Sequence, residues 1–204
     1  MVSSERDEKK GRVPERVCLF GGTFDPIHLG HVHIAQAAVE QLHLDQVIFL
    51  PCRQSPHKPG HQHASETHRM AMCRLATEAF DWAQVDAFDM KAPEPSYSWR
   101  TAEAMTARFP NARLFWLMGT DQWEVLPQWN RPEHLAEMVE FIVFTRGAEP
   151  RERRGFKLHA ISGNHPASAT AIRESADKQL IKEWLHPNVA RYISQNHLYQ
   201  GHSQ

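Results

Sequence analysis

From Arg16 onward, short apolar runs rich in β-branched and aromatic residues alternate with longer stretches in which apolar side chains return every three or four positions. The first pattern predicts strands and the second amphipathic helices. RVCLF (residues 16–20) predicts a strand, stopped by Gly21 and Gly22. HVHIAQAAVEQLHL (31–44) then predicts a helix, and QVIFLP (46–51) a second strand closed by Pro51. Ser65 opens a helical stretch over 65–80 that carries Met70, Cys73 and Leu75. Residues 84–90 predict a strand, 98–109 a helix, 112–119 a buried strand ending at glycine, 140–144 a fifth strand and 156–162 a weaker sixth. Helices are predicted over 169–176 and 186–198. This alternation implies an α/β fold with a doubly wound, mainly parallel sheet and right-handed crossovers. Residues 15–200 are expected to form one domain. Residues 1–14 and the terminal GHSQ contain little to bury and are expected to be tails.

In an open sheet of this kind, ligands bind beyond the carboxyl ends of the strands, where strand order reverses. GGTFDPIHLGH (21–31) falls at the end of the first strand and before its helix, so chemistry is expected there. Glycines allow close backbone approach, and a helix N-terminus presents unpaired N–H groups with a partial positive charge. Neither a GxGxxG fingerprint nor a Walker loop is present. Instead, His28 and His31 are three residues apart and can share one side of the helix start, donating to phosphoryl oxygens. In a chain with 14 histidines, an isolated pair of this kind is more often a cap or solvated. The strand and glycines just ahead favour an anion site instead. The long segment 52–64 carries Pro56 and Pro59 and little sign of regular structure, as functional loops often do.

Composition narrows the partners. The 204 residues hold 23 Lys and Arg against 24 Asp and Glu, so the total charge gives no reason to expect a nucleic-acid or membrane-surface binder. Cys18, Cys52 and Cys73 have no CxxC spacing, which argues against a disulfide framework or a sulfur-ligated zinc site. With no secretory-type apolar segment near residue 1 and no run of about 20 apolar residues, a cytoplasmic location is expected.

GGTFDPIHLGH resembles the GGTFDPxHxGH signature of the bacterial nicotinate-nucleotide adenylyltransferases, within the HxGH nucleotidyltransferase superfamily. LPCRQSPHKP (50–59) is similar to that family's Pro-rich loop, PSYSWRTAEAM (95–105) to its Ser-Tyr-Thr helix start, and MGTDQWEVLPQW (118–129) to its Gly-x-Asp segment and following Trp. SATAIR (168–173) resembles its Ser-Ser/Ala-Thr-x-Ile-Arg motif. Together these matches run from about Val17 to the last predicted helix. The HxGH element alone is shared with pantetheine-phosphate adenylyltransferases, cytidylyltransferases and class I aminoacyl-tRNA synthetases. The Pro-His-Lys loop and the Asp-x-x-His form of the first motif point to the nicotinate enzymes.

The resemblance implies a Rossmann-like nucleotidyltransferase fold and transfer of AMP from ATP, carried with Mg2+, to nicotinate mononucleotide, giving deamido-NAD and pyrophosphate. On that basis His28, His31, Arg173 and Lys58 are the expected catalytic residues. ATP is expected against His28, His31 and Arg173 together with Gly21, Gly22, Thr23, Phe24, Gly119, Asp121, Ser168 and Thr170, and the acceptor against Lys58, Tyr97, Ser98 and Trp129. Taken alone, Ser168 and Thr170 could simply cap a helix, Asp121 could be an N-cap, and Trp116 and Trp184 read as core. Cys52 stands where the family often has Asn, Ser98 where Thr is usual, and Ala167 where Ile is usual. Acceptor preference is therefore less determined than the chemistry, and nicotinamide mononucleotide and phosphopantetheine are alternatives. A metal-binding protein built on His57, His61, His63 and His68 is a rival of another class, although their spacing suits no ligand geometry. The oligomeric state is not legible from these features.

Overall fold

The computed structural model describes residues 13–53, 63–145, 147–163, 165–174 and 178–199. Its centre is a six-stranded sheet in the order β3-β2-β1-β4-β5-β6, with every neighbouring pair parallel. The strands are β1 Arg16–Gly22, β2 Gln46–Pro51, β3 Ala83–Val85, β4 Arg113–Gly119, β5 Glu140–Thr145 and β6 Leu158–Ser162. The helices are α1 Leu29–Leu42, α2 Glu66–Thr77, α3 Phe88–Lys91, α4 Ser98–Arg108, α5 Thr120–Val125, α6 Pro132–Met138, α7 Ala169–Glu174, α8 Lys178–Trp184 and α9 Pro187–Gln195. A 3₁₀ turn, Leu126–Gln128, links α5 to α6.

Successive strand residues point to opposite faces, and both faces are covered, so the central strands are apolar throughout. Cys18, Phe20, Val47, Phe49, Phe115 and Leu117 face α1, α2 and α9, meeting Val32, Ala35, Met72, Cys73 and Val189. Val17, Leu19, Ile48, Leu50, Trp116 and Met118 face the other way, toward Ala102 and Met105 of α4, Trp123 of α5 and Leu135 of α6. Burial pushes the Cys18 and Cys73 thiols far above their ordinary range, so both stay neutral members of this core.

The doubly wound parallel architecture follows the alternation in the sequence, with local differences at β3 and in three additional short helices. The strand expected over 84–90 is the short edge strand β3 followed by α3. A side-chain oxygen of Asp86 accepts from the Phe88 backbone N–H at 2.8 Å and turns the chain out of the sheet. The helices α5, α6 and α8 are also present between the expected elements. No helix among the described residues is long and apolar enough to cross a membrane.

Strand order reverses between β1 and β4, which are hydrogen-bonded neighbours although β2 and β3 intervene in the chain. The glycine ends of these two strands, Gly22 and Gly119, open the crevice where ligands bind in such sheets.

Candidate functional site

Beyond that crevice lies a cleft of about 720 Å³, lined on one side by the β1–α1 turn and on the other by the segment after β4. His28 occupies the N-cap of α1 with extended backbone, φ −137° and ψ 169°. Its backbone N–H donates to Nδ1 of His31 at 3.2 Å. A neutral His31 therefore carries its ring hydrogen on Nε2, where it can serve as a donor. The two imidazoles stack with centroids 3.7 Å apart and planes 28° apart, and both line the cleft. Gly30 makes this arrangement possible, because a Cβ at that position would sit 2.9 Å from His28 Nδ1. The ring of Phe24 is buried edge-on against His31 with centroids 5.1 Å apart. Phe24 thus braces the His31 ring while bordering the cleft.

The turn is tied down from distant parts of the chain. Asp25, 2 % exposed, accepts from the Ala64 backbone N–H at 3.1 Å and from the Tyr199 hydroxyl at 2.6 Å, and its second oxygen pairs with His63 Nδ1 at 3.0 Å. Burial, then the Asp25 carboxylate, pushes the Tyr199 phenol well above its ordinary range, which keeps it a donor. Arg173 on α7 donates from Nη1 to the Asp25 carbonyl at 2.6 Å and from Nη2 to the Thr170 hydroxyl at 3.3 Å. Ser168 lines the cleft, and its hydroxyl accepts from the Ala171 N–H at 3.5 Å at the start of α7.

Arg69, on α2, is 1 % exposed and reaches only main-chain acceptors. It donates to the carbonyls of Thr23 at 2.8 Å, Cys52 at 2.6 Å, Arg53 at 3.1 Å and Ala64 at 3.0 Å. A guanidinium presents five donors in a fixed fork, a geometry suited to holding several carbonyls at once. One side chain thus joins the β1–α1 turn to the end of β2 and the start of α2.

Across the cleft, Gly119 is the N-cap of α5, and Asp121 is the second residue of that helix rather than its N-cap. A Cβ on Gly119 would lie 2.6 Å from Asp121 Oδ1, so the glycine makes room for this carboxylate at the mouth of the cleft. Deeper, Trp129 meets Trp116 edge-on, with centroids 6.4 Å apart and planes at 82°. Trp116 is a core residue, as its sequence context suggests, yet it also lines the cleft. Ser98 begins α4, whose N-cap Tyr97 supplies no side-chain cap. The Tyr97 side chain thus caps none of the first-turn N–H groups of α4, and the Arg100 backbone N–H donates to the Tyr97 carbonyl at 3.0 Å. Asp89, 6 % exposed on α3, completes this end; its carboxylate accepts from the Thr101 hydroxyl. Burial raises its pKa to about 6, with Asp86 adding to the rise and the Thr101 hydrogen bond opposing it.

A cytidylyltransferase-like family model matches residues 19–175. A probable nicotinate-nucleotide adenylyltransferase of Methylacidiphilum infernorum is 38 % identical over 187 residues, spanning 90 % of this chain and 92 % of that protein. The nicotinate-nucleotide adenylyltransferase of Bacillus subtilis is 32 % identical over 188 residues, spanning 92 % of this chain and all of the relative. The chain belongs to the nicotinate-nucleotide adenylyltransferases. A solved structure of the Plasmodium falciparum nicotinic acid mononucleotide adenylyltransferase, complexed with NaAD, shares the fold with a TM-score of 0.74 at 20 % identity. That alignment covers 91 % of this chain and 97 % of the other.

Of the residues that the adenylyltransferase motifs single out, Gly21, Gly22, Thr23, Phe24, His28, His31, Gly119, Asp121, Ser168, Thr170, Arg173, Ser98 and Trp129 all line the one cleft. Tyr97 does not; its ring lies parallel to Trp99 with centroids 6.5 Å apart and beneath the Arg100 guanidinium, so only its backbone belongs to the α4 start. Lys58 lies outside the described residues, as do His57 and His61. His63 is engaged with Asp25, and His68 pairs through Nδ1 with the Tyr192 hydroxyl at 2.9 Å. Asp25, Asp89 and Trp116 also line the cleft, and Gly30 and Arg69 hold residues that do, although none of the five was among the expected site residues. Gly30 and Asp25 lie inside the quoted first motif. Arg69 carries no local signal, because a helix arginine reads as a solvated one.

Proposed function

We infer that this chain transfers the adenylyl group of ATP to the phosphate of nicotinate mononucleotide, forming deamido-NAD and pyrophosphate for NAD biosynthesis. The observation that carries this reading is the stacked His28–His31 pair at the open start of α1, inside a cleft reaching Trp129 and the α4 N-terminus, in a chain of this family.

In the transfer, an oxygen of the acceptor phosphate forms a bond to the α-phosphorus while the bond from that phosphorus to the bridging pyrophosphate oxygen breaks. A phosphate monoester has a second pKa near ~6, so the nucleophile is already ionised at neutral pH and needs no general base. Catalysis then rests on in-line placement and on donors preorganised for the charge that develops. We assign His31, through Nε2–H, to the α-phosphoryl oxygens, and His28 with the amides near Gly22 and Thr23 to the rest of the triphosphate. Arg173 balances charge on the leaving pyrophosphate, with Lys58 assigned the same task from its loop. Gly119 and Asp121 border the adenosine. The pyridine ring stacks on Trp129, and its carboxylate accepts from the N–H groups of Ser98 and Trp99 at the start of α4.

Magnesium enters as the ATP complex, held mainly by phosphates and water. Among the described residues, no group of three or more His, Cys, Asp or Glu side chains is assembled to hold an ion. A cytoplasmic setting, where ATP is supplied, suits this reaction.

The test is an acceptor panel: nicotinate mononucleotide, nicotinamide mononucleotide and phosphopantetheine, each with ATP and Mg2+, read by pyrophosphate release. Fastest release with nicotinate mononucleotide is expected. Release with phosphopantetheine and none with nicotinate mononucleotide would overturn the assignment.

A further inference from the structure

A carboxyl group buried in the acceptor half of the cleft is unexpected chemistry for a site that takes an anionic ring substituent. Asp89 is 6 % exposed, lines the cleft beside Ser96, Ser98 and Cys52, and comes from a helix of its own, α3. Its hydrogen-bond partner among the described residues, through the side chain, is Thr101 in the first turns of α4. Its carbonyl accepts from the Ser96 hydroxyl at 3.2 Å, which holds the segment leading into α4 against α3. One oxygen is thereby fixed by Thr101, leaving the other as the group that can address a ligand.

We propose that Asp89 determines acceptor specificity: in its neutral form it donates a hydrogen bond to the carboxylate on the pyridine ring, and in its ionised form it opposes that carboxylate. This rests on the assignment of the Trp129 and α4 end of the cleft to the acceptor. The physical basis is the inventory of the two groups. Two carboxylates facing one another repel, whereas a carboxylic acid and a carboxylate share a short, charge-assisted hydrogen bond. Burial and the nearby charge raise Asp89 far enough that a bound anion can bring it to the neutral form. Asp86, at the start of the same turn, adds negative charge, although Arg108 of α4 pairs with it at 2.6 Å. Cys52, at the end of β2, is held neutral by burial, which pushes its thiol up. Arg53 is shared between Glu66 at 3.0 Å and Glu94 at 3.7 Å, so its charge is already balanced. With Asp89 itself raised to about 6, an anion bound beside it raises it further, and acceptor binding takes up a proton.

The experiment measures kcat/KM for nicotinate mononucleotide from pH 5.5 to 8.5 in the wild type, Asp89→Asn and Thr101→Val. Asn keeps the size, the acceptor for Thr101 and an N–H donor, but does not titrate. Because the acceptor phosphate ionises in the same range for every variant, the ratio of wild type to Asp89→Asn isolates the carboxyl group. That ratio is expected to fall at least about threefold between pH 6 and pH 8, through KM for the acceptor rather than KM for ATP. Thr101→Val removes the hydrogen bond that lowers the Asp89 pKa, so the same fall should move to higher pH. A ratio independent of pH, or a Thr101→Val midpoint that moves down, overturns the proposal while leaving the reaction itself intact. Absence of turnover on nicotinate mononucleotide in the wild type instead overturns the functional reading beneath it.

Discussion

At the scale of single residues, the site is a set of donors whose directions are fixed before any nucleotide arrives. His31 illustrates this, because the His28 backbone N–H occupies its Nδ1 and so assigns the hydrogen to Nε2. Removing one preorganised donor to developing charge commonly costs ~10²–10³ in rate. His31→Ala should lose kcat on that scale while keeping its circular dichroism spectrum and melting temperature close to wild type; near-normal turnover in purified protein would refute the assignment. Gly30 gives a second, sharper test. A methyl group there meets His28 Nδ1 at 2.9 Å, and the stacked rings must separate. Gly30→Ala should therefore lower kcat by about tenfold or more with a much smaller change in thermal stability, measured by pyrophosphate release and calorimetry on the same preparation. Both histidines were legible in the sequence from their spacing after a strand and two glycines. Gly30 falls inside the same HxGH element, but the physical need for its bare Cα, a ring that folds back over it, shows only in the structure.

At the scale of elements, α2 does more than cover the sheet. Met70, Met72 and Cys73 pack into the core, while Arg69 leaves the same helix to gather four carbonyls from three separate segments. Arg69→Met would leave these acceptors buried without their donor, each unmade bond costing ~1–3 kcal/mol. A loss of upwards of about 3 kcal/mol in urea unfolding is expected, accompanied by a raised KM for ATP because Thr23 is no longer held. Unchanged stability would show that the carbonyls find other donors. Periodicity could not have revealed this residue, since nothing in the sequence around position 69 marks a charge destined for the interior. The same limit explains the misplaced end of β3. Residues 84–90 have strand-like composition, yet the Asp86 side chain captures the Phe88 N–H and starts α3. Helices α5, α6 and α8, each six or seven residues long, are too short to display a full amphipathic repeat. By contrast, β1, β2, β4 and β5 were legible because burial on both faces leaves them apolar throughout.

Over the whole molecule, the two ends of the sheet divide the work. The cleft lies at the carboxyl ends, and the amino ends of β4, β5 and β6 carry a charge network centred on Glu140. Arg113 grips Glu140 with two hydrogen bonds, at 2.7 and 2.6 Å, His159 adds one at 2.7 Å and Lys157 one at 3.3 Å. Partial burial pushes the Glu140 carboxyl up, but these hydrogen bonds outweigh it and draw the pKa down to about 2. A carboxylate lowered on folding adds stability that is complete above about pH 4.5 and disappears as pH falls toward about 2. Unfolding midpoints of the wild type should thus decline across that window. Glu140→Gln should be less stable at neutral pH and should lose part of the acid-dependent decline, with activity per folded molecule unaltered because the network lies at the end of the sheet opposite the cleft. An equally steep acid decline in the variant would place the responsible carboxylates elsewhere.

The Asp25 knot also bears on how the protein is made. Its partners Arg173 and Tyr199 follow it by 148 and 174 residues, so the ribosome releases the β1–α1 turn long before the side chains that brace it. Synthesis and bracing are therefore separated in time: a nascent chain can lay down most of its parallel sheet and still lack the contacts that hold its β1–α1 turn until translation passes Tyr199.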